Sequence, residues 1–284
     1  MTGTGTENDP YIVDNIADFR TACQKSDVYV ELSSDIDCMD DEMISDGWTT
    51  LSIYCEKIDG KGYTIKNIYT TAGNTSNMIV LMNSSLSEGI HNLNFENIFF
   101  NHTGNGCPFY TGGAGYFKNC NFSGIINSNS TYCFCNRTIK ATKCTFNFKI
   151  YSTRSDGFRF SYLSMESCEV RLDVSAVKTS GTADTIARYF ENSYALGSIK
   201  FQNTDVNASK TRMFYRAGNS YIAMSVVNVG SGFKFSDTNV SLACFYNADL
   251  LENAEFEAQD NVYALTTEQC KDRDYLNSIG FVVV

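Results

Sequence analysis

Proline is almost missing from this chain: two residues in 284, which excludes a Pro-rich stalk or linker. No apolar run approaches the ~20 residues that a membrane-spanning helix needs. Basic residues are also scarce. Lys and Arg number 22 against 32 acids, a formal net charge of -10, which argues against nucleic acid or an anionic membrane as partner. Long stretches of Ala, Leu, Glu and Lys are missing, whereas Phe, Tyr, Asn, Ser and Thr are plentiful, a composition of strands and turns. The opening "MTGTGTENDPYIV" has neither a basic nor an apolar leader region, so no secretory signal is expected.

Eleven cysteines are present, an odd number, and no pair has metal-ligand spacing. Cys133 and Cys135, read on a strand, share a face. Cys120, Cys144 and Cys168 recur every 24 residues, a regularity that a disulfide framework does not produce. A free cysteine packs as a small hydrophobe, so these three are expected as stacked interior thiols. Reduced thiols and the missing leader together predict synthesis in a reducing cytoplasm.

That spacing belongs to an internal repeat. "YTIKNIY", "LNFENIFF", "CNFSGII", "CTFNFKI", "CEVRLDV" and "AEFEAQ" each carry a large apolar anchor and then a near-immediate bend. The anchors are Ile65, Phe95, Phe122, Phe146, Val170 and Phe256; Ile36 extends the series backwards, and Val206 and Val229 fill it less well. A second ladder runs half a turn out of phase, through "VLMN", "PFY", "CFCN", "FRFSY", "RYFEN", "MFYR" and "CFYN".

Helical repeats would need a 3.6-residue apolar period, and propeller blades about forty residues each. Neither fits. The pattern predicts an all-β fold: a right-handed parallel β-helix of about nine coils stacked ~4.8 Å apart. Asn67, Asn97 and Gly124, two residues after their anchors, suit the left-handed conformation of a sharp corner. Residues 14–25 place Ile16, Phe19 and Cys23 on one stripe of a cap helix. Thr266 followed by Gln269 is a capping box, predicting a helix to about Asn277, closed by Gly280 with "FVVV" packing back. The expected organisation is a cap at residues 1–27, the β-helix at 28–262 and a C-terminal cap at 263–284. The widest interval, between Val170 and Val206, predicts a corner loop at 178–184.

The coil pattern over residues 28–262 resembles the pectin-lyase-like superfamily of β-helices. "GTGTENDPYIV", followed by "IDGKGYTIKNIY", is similar to β-helix proteins carried by phages of gut bacteria, and "LTTEQCKDRDYLNSIGF" to segments that close bacterial β-helix repeats. The resemblance implies a virion role as head fibre, decoration or tail appendage. Virion location, other capsid or tail proteins as partners, self-association and contact with a host-surface glycan are expected with it. A bacterial surface adhesin is the alternative.

An enzyme is the second alternative. Polygalacturonases carry Asn-Thr-Asp, Asp-Asp, Gly-His-Gly and Arg-Ile-Lys in that order. This chain has "NTD" at 203–205, but "RTIK" at 137–140 precedes it, and its only histidines, His91 and His102, lie upstream. A lyase needs clustered acids for Ca²⁺ and a basic residue. "DCMDDE" at 37–42 is the only dense acidic run and reads as a solvated loop. A glycosidase needs only two carboxylates, for which Glu166, Glu169, Asp173 and Asp205 are the positions to inspect. The aromatic ladder reads as core, with Tyr110, Tyr162 and Tyr215 the tyrosines able to face outwards. No catalytic, cofactor or metal residue is assigned.

Overall fold

The computed structural model describes residues 1–39, 48–70, 77–81, 88–102, 104, 106–111, 115–130, 132–136, 139–152, 159–161, 163–176, 184–201, 212–218, 220–228, 233–235, 239–240, 244–252, 254–256 and 260–279. Within them the chain is a parallel β-solenoid. Successive passages of the chain pair in register in a ten-stranded sheet, a twelve-stranded sheet and a three-stranded sheet. Every strand pairing in these sheets is parallel. A right-twisted strand that crosses over to a parallel neighbour in the same sheet does so in the right-handed sense.

The first ladder is real through its first six members. Ile36, Ile65, Phe95, Phe122, Phe146 and Val170 face one another coil by coil in the twelve-stranded sheet. The continuation differs from the expected one. The column goes on through Ala195, Ile222, Tyr246 and Ala264. Val206 and Val229 lie outside the described residues, and Phe256 pairs with Phe235 in a separate two-stranded sheet. A search for large apolar anchors passes over Ala195 because its side chain is small. The apparent wide gap after Val170 follows from that omission. Of the expected loop, 178–183 lie outside the described residues, and Asp184 opens a strand, Asp184–Glu191.

The second ladder mixes three sheets. Val80 does face Tyr110, and Phe109, Cys135 and Ser161 align on successive coils. "RYFEN" and "MFYR" instead sit in the ten-stranded sheet, and "CFYN" in the twelve-stranded one. Each coil contains more than one short apolar passage, so a spacing in the twenties does not say which sheet a passage joins. The ten-stranded sheet has its own inward column, Val30, Ile58, Ile90, Phe117, Ala141, Met165 and Phe190. Cys133 and Cys135 are both buried, but so is Phe134 between them. That segment is bent rather than extended, so strand alternation does not govern it.

Two kinds of corner shape the coil. Between the long sheets the backbone turns through a left-handed residue at Asn92, Asn119, Lys143, Ser167 and Asn192, with φ between 48° and 55°. The next residue points inwards: Leu93, Cys120, Cys144, Cys168 and Ser193. This corner places the thiols in the core. Cys120 Sγ donates to Ile90 O at 3.3 Å, Cys144 Sγ to Thr142 O at 3.4 Å and Cys168 Sγ to Ala141 O at 3.4 Å. Hydroxyls take over the same task one coil later, where Ser193 Oγ donates to Glu191 O at 2.6 Å. The flanking Cys120 and Cys168 thiols, and then burial, push the Cys144 thiol far above its ordinary value. Native protein is therefore expected to leave all three unlabelled by a thiol reagent until it is unfolded. Rapid labelling, or a disulfide among them, would contradict the register.

The second corner is present only in the early coils. Asn67 and Asn97 are left-handed there, with φ of 60° and 53°. From Asn121 to Phe201 no asparagine corner interrupts the strands Asn121–Ser128, Thr145–Ser152, Glu169–Ala176 and Tyr194–Phe201, although Gly124 and Gly197 keep positive φ within them, at 154° and 106°. The change is absorbed between Phe95 and Ile98, where the register against the next coil shifts as Ile98 comes to face Gly124. Side-chain amides zip the early corners: Asn97 donates to Asn67 at 2.6 Å and Asn67 to Asp37 at 2.7 Å. At the other corner Asn119 donates to Asn92 at 3.1 Å and Asn92 to Asp59 at 3.0 Å.

A carboxylate thus heads each amide ladder. The Asn67 amide, the Met39 N–H and Lys66 hold Asp37 below its ordinary value. Burial pushes Asp59 up, but the Asn92 amide, the Lys61 N–H and the charges of Lys61 and Lys57 together bring it below its ordinary value. A depressed carboxylate stabilises the fold above its unfolded value of about 3.9, and that contribution is lost as pH falls through the folded value. Asp59→Asn should melt below wild type at about pH 7, and the two melting temperatures should converge as pH falls through the folded value of Asp59. A gap that stays constant with pH would contradict the ladder.

At the N-terminus, helix α1 (Ile16–Cys23) buries Ile16, Phe19, Ala22 and Cys23, and Asn15 caps it by accepting from Asp18 N at 2.9 Å. At the other end the capping box forms as expected, but the helix is shorter. α2 (Thr267–Lys271) stops at Asp272, which then caps α3 (Arg273–Ser278) by accepting from Asp274 N and Tyr275 N. Asp272 cannot continue one helix while its side chain starts the next. Leu276 of α3 packs with Phe245 and Leu265, residues of the last strands of the twelve-stranded sheet. Gly280 and 281–284 lie outside the described residues.

Candidate functional site

The three described acids of the four, Glu166, Glu169 and Asp173, do not converge. Glu166 ends a strand of the ten-stranded sheet, and its Oε2 lies 3.3 Å from Lys140 Nζ. Glu169 and Asp173 lie past the Ser167–Cys168 corner, on the outer face of the twelve-stranded sheet. Four residues apart on one strand, they are separated by about 13 Å, beyond the roughly 5–9.5 Å of a glycosidase pair. Glu169 is paired with Arg171 at 3.2 Å, and Asp173 accepts from Ser198 Oγ at 2.9 Å. Asp205, with the rest of "NTD", lies outside the described residues, as do Arg137 and Thr138 of "RTIK". In the acidic run Asp37 is engaged by Asn67 and Lys66, and 40–42 lie outside the described residues.

The register brings one further acid to Glu166. Glu191 stands directly opposite it on the next coil. Sequence inspection misses Glu191 because "RYFEN" aligns by spacing with a ladder of another sheet. Parallel neighbours lie about 4.8 Å apart, so two carboxylates stack on this face with Lys140 beside the first. His91 packs edge-on to Tyr116 at 5.7 Å, and burial, with Lys57 and Lys118 nearby, lowers its pKa although the Glu88 carbonyl opposes this.

Of the aromatic ladder, Phe109, Phe134 and Phe160 are fully buried, so the core assignment holds for them. Tyr110 is half-buried. Tyr162 and the side chain of Tyr215 lie outside what is described.

The exposed aromatics are elsewhere. On the outer face of the twelve-stranded sheet, Tyr69, Phe99, Ile125 and Lys149 form one column and Asn101, Asn127 and Tyr151 the next. Tyr69 is 41% exposed, Ile125 37% and Tyr151 41%. The Tyr69 and Phe99 rings are nearly parallel, with centroids 4.9 Å apart, and Lys149 Nζ lies 5.7 Å from the centroid of Tyr151. Strand geometry explains this placement: alternate residues of each strand face outwards, and parallel register repeats each outward position one coil higher. A lateral strip of aromatic and amide groups results, carried on a rigid core.

No protein-family model matches the chain, and no curated protein matches it.

Proposed function

We propose that this chain is a non-catalytic structural rod of a phage virion, a head fibre, decoration or tail appendage that presents a lateral face for contact. One observation carries the reading: a single hydrophobic cluster runs from Val13 to Met224, and the aromatic-amide strip stands on the outside of that stack. Such a core makes each coil dependent on its neighbours and gives a stiff scaffold. The phage origin rests on the resemblance of the opening "GTGTENDPYIV" and of "IDGKGYTIKNIY". Partners in the particle would be capsid or tail proteins, and self-association is expected because appendages are repetitive. Of the acids that a glycosidase could use, Glu166, Glu169 and Asp173 are in contact with Lys140, Arg171 and Ser198.

The stacked Glu166 and Glu191 supply the one specific observation for the enzyme alternative, because their spacing approaches that of a retaining pair. Purified protein incubated with host-surface polysaccharides is expected to release no oligosaccharide. Product release that disappears in both Glu166→Gln and Glu191→Gln would overturn the non-catalytic reading.

A further inference from the structure

We infer that the strip around Tyr69, Phe99, Ile125 and Tyr151 is a binding site for a neutral oligosaccharide, an inference that rests on the contact-rod reading above. The first observation is the state of two asparagines. Three other pairs stacked between adjacent coils are zipped by side-chain hydrogen bonds: Asn67 with Asn97, Asn92 with Asn119 and Asn94 with Asn121. Asn101 and Asn127 are also in register on adjacent coils, yet among the described residues their side-chain amides make no hydrogen bond. Asn101 is partly exposed, and both lie on the strip. Each offers donors and an acceptor, the chemistry that sugar hydroxyls require.

The second observation is the apolar surface beside them. Tyr69, Ile125 and Tyr151 each expose more than a third of their surface. Ring and methyl surfaces take the C–H faces of a pyranose, and the neighbouring amides take its hydroxyls. From Tyr69 to Tyr151 is three coil steps, roughly 14 Å, which suits a short oligosaccharide rather than one sugar.

Charge and size select the occupant. Lys149 is the one ion in these two columns over those coils, and Asp173 follows it directly on the next coil. An anionic sugar would therefore find little net attraction, on a chain whose net charge is already -10. A second copy of the chain would need about 800 Å² and roughly 20–30 residues on each side. The strip supplies a handful of residues and ends at the charged Lys149 and Asp173, so it is too small for that.

The test is calorimetric titration of the full chain with cellohexaose, maltohexaose and chitohexaose, with an oligogalacturonate as anionic comparison. Binding to at least one neutral hexaose is expected. Tyr69→Ala, Tyr151→Ala and Asn127→Ala should each weaken it about tenfold, with unchanged circular dichroism. Tyr263→Ala, an exposed tyrosine on another column, should leave it unchanged. Failure of all three neutral sugars, tighter binding of the oligogalacturonate, affinity unchanged in Tyr69→Ala and Tyr151→Ala, or a dimer in sedimentation that Tyr69→Ala dissolves would each overturn the inference. Binding by a chain that is absent from particles would sink the virion reading and leave the site standing.

Discussion

Phe122→Ala is expected to destabilise the protein by about 3–5 kcal/mol, the range for emptying a fully buried aromatic position. Phe122 is the centre of the aromatic core. Phe95 and Phe146 stack on its two faces at 5.3 and 5.2 Å, with ring planes within 5° of parallel. Phe109, Phe117 and Phe134 approach at 5.3, 5.0 and 5.4 Å with their rings steeply inclined. Five rings lose a partner at once, and backbone ladders on both sides hold the coils at fixed spacing, so the cavity cannot collapse. Chemical denaturation of wild type and variant measures the loss. A cost below about 1 kcal/mol would mean that residue 122 is not in this stack.

The second large effect is expected at Gly197. Its φ is 106°, and a Cβ added there would lie 2.0 Å from the carbonyl oxygen of Leu172 on the preceding coil. Backbone of a neighbouring coil cannot rotate aside as a side chain can. Gly197→Val combines overpacking, about 1–3 kcal/mol, with a left-handed conformation that costs roughly 1–2 kcal/mol more. The variant should unfold at markedly lower denaturant concentration than wild type. Gly62 provides the contrast: it too has positive φ, 89°, but a Cβ added there would meet nothing within 4 Å, so Gly62→Ala bears only the backbone strain. Equal losses at the two sites would contradict the coil-to-coil contact at Gly197.

How much of this was legible in the sequence depends on side-chain size. Where a coil presents Ile, Phe or Val at the stacked position, the repeat is visible and the register from Ile36 to Val170 follows from spacing alone. At Ala195 the stacked residue is small, and an alignment on large anchors slides onto residues that belong elsewhere. The thiol column was legible because Cys120, Cys144 and Cys168 keep the same offset from a left-handed corner. The corner itself was hidden at Lys143 and Ser167, residue types that do not advertise positive φ. The break between α2 and α3 was hidden for a similar reason: Asp272 is unremarkable in a helix until its carboxylate is seen accepting from Asp274 N and Tyr275 N.

The candidate site was less legible than the fold. Tyr69, Phe99, Ile125 and Tyr151 are scattered over more than eighty positions, and nothing local marks them as neighbours. Only register joins them. The same holds for Glu166 and Glu191, which the strands Ser164–Glu166 and Asp184–Glu191 place side by side. Of the tyrosines singled out from the aromatic ladder, Tyr110 is half-buried and the side chains of Tyr162 and Tyr215 lie outside what is described, while Phe109, Phe134 and Phe160 line the core.

The claim that this rod is a virion component is tested most directly by mass spectrometry of purified particles from a phage that encodes it. The account predicts peptides from this chain in intact particles, at a constant ratio to the major capsid protein after gradient purification. Intact particles without the chain, together with its recovery from the host cell surface or as a secreted enzyme, would contradict it.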